Sequence, residues 1–214
     1  MSAMQKLISL YRRFDECPLC RNSGNNLQHI LGGGKKKNPK VVFVFINPTH
    51  SNISSNTNWR GVRFPFIGVS RFWRILADSG WVAAERVEDI KRHGWNEETI
   101  KNLEDDLSNR GIYITNLVKC TFPHADYPGK EVFDYHLPLF EEELSVVTPK
   151  AIVSFGTLIT SYLTGKDLTF KKYFNNPKPL RYRDVAVHPC YFPVGRGNPK
   201  LATQVLKGLR FLLE

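Results

Sequence analysis

The sequence predicts an α/β protein, a three-layer α/β/α sandwich around a central, mainly parallel four-stranded sheet. Three observations predict it. Four short runs rich in β-branched and aromatic residues recur along the chain, and stretches with apolar residues every three or four positions separate them. Strands that alternate with helices build parallel sheets covered on both faces. The 214 residues suit one domain with room for a core, and no internal repeat or long linker divides them.

In chain order, Met4, Leu7, Ile8, Tyr11 and Phe14 recur at helical spacing, so the N-terminus reads as an amphipathic helix. Gly32 to Lys40, GGGKKKNPK, reads as a loop. Val41–Ile46 (VVFVFI) is the longest apolar run and suits a buried strand. Ser70–Ser79, with Phe72, Trp73, Ile75 and Leu76, reads as a helix, as does Glu97–Leu107 after an Asn96 cap. Ile112–Asn116 is the second strand. Glu131–Val147 places Phe133, Leu137, Phe140, Leu144 and Val147 on one helical face. Ala151–Phe155 and Asp184–His188 are the third and fourth strands, and a last helix runs from about Asn198 to Leu213.

Composition narrows the class of function. Thirty Lys and Arg against twenty Asp and Glu give a net charge of +10, which points to a polyanionic partner, most simply nucleic acid. No apolar stretch approaches a membrane span. The start, MSAMQKLISLYRRF, lacks the apolar core and cleavage site of a secretory signal, so a cytoplasmic monomer is expected. Its four cysteines then read as reduced thiols or metal ligands.

Ligands of such sheets bind outside the carboxyl ends of the strands. There the chain has Asn47 and Pro48 after the first strand and Asn116 ending the second. Gly156 follows the third, and His188 and Pro189 end the fourth. Two asparagines and a histidine converge, without a carboxylate pair, a Ser-His-Asp order or a phosphate loop. Such a set is suited to hydrogen-bonding a neutral, polar, planar group.

Those strand ends also carry a family resemblance. Tyr113–Pro123 (YITNLVKCTFP) resembles the ITN-V-KC-PP segment of the family-four, iron–sulfur uracil-DNA glycosylases, and Arg63–Gly68 (RFPFIG) resembles their GRPFVG segment. CPLC near the N-terminus, Pro149–Thr157 (PKAIVSFGT) and His188–Cys190 (HPC) follow in the same order, so the resemblance spans nearly the whole chain. Two departures stand out. Phe45–Thr49 (FINPT), with Ile46 where family four has glutamate, is closer to the GINPG of the mismatch-specific thymine/uracil glycosylases, and Ser70–Trp73 (SRFW) resembles that group's N-FW segment. His136 stands where family four has its last cysteine, sixteen residues beyond Cys120.

The resemblance implies a DNA glycosylase that hydrolyses the bond between uracil, or another deaminated or mismatched base, and its sugar. His188 would donate to the departing base as it becomes an anion, and Asn47 would hold the attacking water through its amide oxygen. Asn116 would read the edge of the extruded base and Phe66 would stack on it, within a pocket that includes Ile46 and Gly68. Past His188, the loop Tyr191–Gly197 has the makeup of a wedge, with Phe192 or Val194 as plug and Arg196 on a phosphate. Cys17, Cys20, Cys120 and His136 would hold a [4Fe–4S] cluster. Three cysteines and a histidine also compose a structural zinc site, and Cys190 is the competing fourth ligand. Two other readings remain: a protein of this fold that binds damaged DNA without efficient turnover, and a metal-stabilised nucleotide-binding or redox protein. Against the latter, no phosphate-cradling glycine motif follows any strand.

Overall fold

The computed structural model describes residues 3–21, 27–122 and 127–214. Among the described residues there are six strands: β1 (Gly33–Gly34), β2 (Val41–Phe45), β3 (Ile112–Asn116), β4 (Ala151–Phe155), β5 (Leu180–Tyr182) and β6 (Val185–Cys190). They form one sheet in the order β1-β3-β2-β4-β6-β5. The inner four run parallel, while β1 and β5 lie antiparallel on the two edges.

The sheet therefore exceeds the four strands expected, and the added edges explain why. β5 is three residues long and largely unburied, too short to show a period. β1 is built from glycine and carries no side-chain signal, so part of the expected loop Gly32–Lys40 is in fact strand. Only glycine fits there: a Cβ on Gly33 would lie 2.6 Å from the Cβ of Phe64, and one on Gly34 2.3 Å from the carbonyl of Ile112. The following lysines run toward the amino ends of the parallel strands, because Gly34 pairs with Tyr113 and the Lys35 amide bonds the Ile112 carbonyl.

The fourth strand also runs further than Asp184–His188. Proline lacks an amide donor and is disfavoured inside a sheet, which made Pro189 look like a terminus. The pairing instead continues through Pro189 to Cys190, opposite Ser154 and Phe155. His188 thus lies inside the strand, level with Val153.

Nine helices complete the described residues: α1 (Ala3–Asp15), α2 (Pro18–Arg21), α3 (Ser70–Asp78), α4 (Ala84–His93), α5 (Glu97–Arg110), α6 (Lys130–Val147), α7 (Thr157–Thr164), α8 (Phe170–Asn175) and α9 (Pro199–Gly208). A 3₁₀ turn, Arg210–Leu213, follows α9 and breaks the single last helix expected. Asn96 caps α5 in a reciprocal box with Thr99, and Gly111 ends it in the left-handed conformation that glycine tolerates.

Both sheet faces are covered, which is why β2, β3 and β4 are buried throughout and mostly apolar. Phe43, Phe45, Val153 and Phe155 pack against Phe72 and Trp73 of α3, Leu103 of α5 and Leu206 of α9. Val42, Val44 and Ile152 pack against Leu7 of α1, Phe140 of α6 and Ile159 of α7. Each of these fully buried side chains contributes about 1.5–3 kcal/mol, so the carboxyl edge is presented by a well-packed sheet. No helix among the described residues is long and apolar enough to cross a membrane.

Candidate active site and metal centre

Asn47 and Asn116 are brought together at the carboxyl edge. They line a cavity of about 220 Å³ whose walls include Thr49, Pro65, Phe66 and Phe192. Asn116 is the last residue of β3 and is 1% exposed. Its Nδ2 is buried without a hydrogen-bond partner in the protein. Leaving such a donor unpaired costs about 1–3 kcal/mol, so this amide is set to meet a ligand's acceptor. Across the cavity, Asn47 Nδ2 donates to the Pro48 carbonyl at 3.0 Å, which fixes the rotation of its amide.

Phe66 supplies an aromatic wall from a strained backbone, with φ at +68°. Its ring stacks on Phe72 at 3.8 Å and meets Phe45 edge-on at 4.7 Å. The Trp73 indole N–H holds the Phe66 carbonyl at 2.8 Å. Gly68 does not border the cavity. Its φ is +94°, and a Cβ there would meet Ile53 at 2.7 Å, so it lets this segment close onto the turn at Ile53–Ser55. Ile46 borders an adjoining cavity of about 190 Å³, together with Tyr127, Gly156 and Arg196.

Beneath Asn116 lies a charged network that sequence reading missed. Lys119 and Glu143 pair at 2.6 Å with both side chains fully buried. Lys119 also donates to the Asn116 carbonyl and to Thr115 Oγ1. Glu143 further accepts from Tyr113 at 2.6 Å and Thr115 at 3.0 Å. Burial lowers the Lys119 pKa against the pull of Glu143, and raises that of Tyr113 well above its usual value. A lone lysine in an apolar stretch and a glutamate on a charged helix give no periodic signal that they meet.

The structure does not bring His188 to the cavity. Its half-buried ring lies edge-on to Phe211 at 6.0 Å, and burial lowers its pKa. Phe192 and Val194 line the cavity, with Val194 only 8% exposed, so they form wall and not an outward plug. Arg196 is exposed. Gly197 permits the tight return of this loop, since a Cβ would lie 1.9 Å from the Phe192 carbonyl oxygen.

A second cluster forms where α1, β3 and α6 meet. Cys17, Cys120 and His136 are all buried. His136 Nε2 lies 3.6 Å from Cys17 Sγ and 3.0 Å from Cys120 Sγ, and the two sulfurs are 3.8 Å apart. Burial, with His29 and Lys119 nearby, pushes the His136 pKa down to about 3, leaving the neutral ring that a metal requires. Cys17 and Cys120 belong to a group of side chains that could hold a metal ion. Cys120 is disulfide-bonded in this structure, contrary to the expectation of reduced thiols or metal ligands, so its sulfur would have to be reduced before it could bind a metal. Cys20 sits on α2, but its side chain lies outside the described atoms. Cys190 is remote from this cluster: it belongs to the core on the opposite face of the sheet, where its thiol meets the Ala202 carbonyl at 3.8 Å.

His29 joins the cluster without having been expected. One of its ring nitrogens lies within 4.8 Å of the sulfurs of Cys17 and Cys120. Its Nδ1 faces Asp15 at 3.4 Å, and Arg63 grips the Asp15 carboxylate with two bonds of 3.0 Å. Burial opposes ionisation of Asp15, yet hydrogen bonds from His29 and Arg63 hold its pKa at about 2.

Comparison with known proteins agrees with this architecture. The family model described as the Uracil DNA glycosylase superfamily matches residues 31–210. A type-4 uracil-DNA glycosylase of Sulfurisphaera tokodaii is 26% identical over 102 residues, covering 44% of this chain and 46% of that protein. The alignment thus spans less than half of the relative.

Proposed function

The chain belongs to the uracil-DNA glycosylase superfamily, and on that premise we propose that it excises uracil from DNA, the first step of base-excision repair. The observation that carries this reading is the unpaired amide nitrogen of Asn116 at a cavity walled by Phe66. An asparagine amide pairs at once with O4 and N3–H of uracil. Cytosine presents the reversed pattern and leaves the Asn116 donor unpaired.

Excision begins with extrusion of the nucleotide from the stack. Phe66 receives the base on its open face, and Asn116 pairs with its edge. Asn47 then holds a water beneath the sugar carbon as the glycosidic bond breaks. Among the described residues lining the cavity none is acidic, so the water is positioned and not deprotonated, which gives slow turnover. His188 takes no part in stabilising the departing base, since its ring lies edge-on to Phe211 and outside the cavity lining. Arg196 and the net charge of +10 serve the phosphates.

The Cys17, Cys20, Cys120 and His136 set is the proposed holder of the metal centre, which would tie α1 to the end of β3. The family resemblance implies a [4Fe–4S] cluster. The mixed cysteine and histidine donors suit a second identity, a single zinc ion. Iron, sulfide and zinc assays on the purified protein distinguish them.

Single-turnover cleavage of uracil in single- and double-stranded oligonucleotides tests the activity. Wild type should release uracil, Asn47→Ala should slow release at least a hundredfold, and His188→Ala should stay within a few-fold of wild type. Tight binding of uracil-containing DNA without any release would replace this reading with that of a damage-binding protein.

A further inference from the structure

We infer that His29 is itself a ligand of the metal centre, held for that role by Asp15 and Arg63. The inference rests on the reading that the centre holds a metal. His29 is 6% exposed, and a ring nitrogen stands within 4.8 Å of both Cys17 Sγ and Cys120 Sγ. With Nδ1 turned to Asp15, the nitrogen left for a metal is Nε2, which is buried and makes no hydrogen bond. A metal-binding histidine commonly gives its other N–H to a carboxylate, which fixes the tautomer and the ring orientation. Asp15 occupies that place.

The support continues outward. Arg63 binds Asp15 through both carboxylate oxygens and donates to the backbone carbonyl of His29 at 3.1 Å. The neighbouring backbone is fastened as well: the Ile30 amide bonds the Lys119 carbonyl at 3.0 Å, and Thr121 bonds the Gln28 carbonyl at 2.9 Å. His29 is thereby pinned beside Cys120. With Cys17 and Cys120 it makes a group of three buried side chains whose ligand atoms all lie within 4.8 Å of one another. Arg63 also opens the segment that carries Phe66, so the same clamp joins the centre to the wall of the base cavity.

The test is metal content per chain, resistance to chelator, and X-ray absorption at the metal edge for wild type, His29→Ala, His29→Cys and Asp15→Asn. His29→Ala should release metal at least tenfold faster and lose one nitrogen neighbour per metal. His29→Cys should restore retention with a sulfur in that place, and Asp15→Asn should fall between. A His29→Ala protein that keeps its metal with an unchanged coordination shell overturns the inference. If that variant does not fold, His29→Cys decides alone: metal kept with sulfur replacing nitrogen supports ligation, and metal lost overturns it. Wild type without metal would instead bring down the underlying reading of the centre.

Discussion

Phe66 occupies a backbone conformation that costs a residue with a Cβ about 1–3 kcal/mol. It persists because its surroundings allow no other: the ring is caught against Phe72 and Phe45, and the carbonyl is held by Trp73. Trp73→Phe keeps an aromatic ring in the core but removes that N–H. Its stability in urea should fall by about 1 kcal/mol for the lost hydrogen bond. Its KM for uracil-containing DNA should rise several-fold with kcat nearly kept. An unchanged KM would show that Trp73 does not set the stacking surface. At this scale the sequence was most legible at Asn47 and Asn116, because both stand at the carboxyl ends of mostly apolar strands. It was least legible at His188, where a proline that looked like a strand end lies inside the strand. His29 was hidden for another reason: its meeting with Cys17 and Cys120 is made by the fold and not by a motif spacing.

The strand β3 and the helix α6 form the second scale. Their junction is the fully buried Lys119–Glu143 pair, which reaches up to the Asn116 carbonyl. Removing one partner of a buried pair strands the other charge and costs about 3–5 kcal/mol. Lys119→Met and Glu143→Leu should each lower unfolding free energy by that order, while the double variant should recover most of it. Additive losses in denaturant titrations would mean that the two charges do not act as a unit. The parallel strands and long helices were read from periodicity because burial on two faces or one imposes it. The two-residue glycine strand β1 and the short β5 carry no such imprint, and the 3₁₀ turn after α9 interrupts a pattern that looked continuous.

For the whole molecule, the central sheet directs two asparagines and an aromatic wall into one cavity. Cys17, just after the N-terminal helix, meets Cys120, just after β3, the strand that carries Asn116. The net charge of +10 suits the molecule to a phosphate backbone, and Arg196 stands at this edge. The family model covers residues 31–210 and so includes the sheet and its cavity, and the central claim is that the cavity recognises uracil through the Asn116 amide. The most direct test is single-turnover excision by wild type and Asn116→Asp on matched oligonucleotides carrying uracil or cytosine at one position. A carboxylate accepts from the cytosine amino group and presents no donor to uracil O4. Wild type should release uracil and leave cytosine, and Asn116→Asp should lose at least a hundredfold on uracil while gaining measurable release of cytosine. Uracil release unchanged by the substitution would contradict the account, because the base would then be read somewhere other than at Asn116.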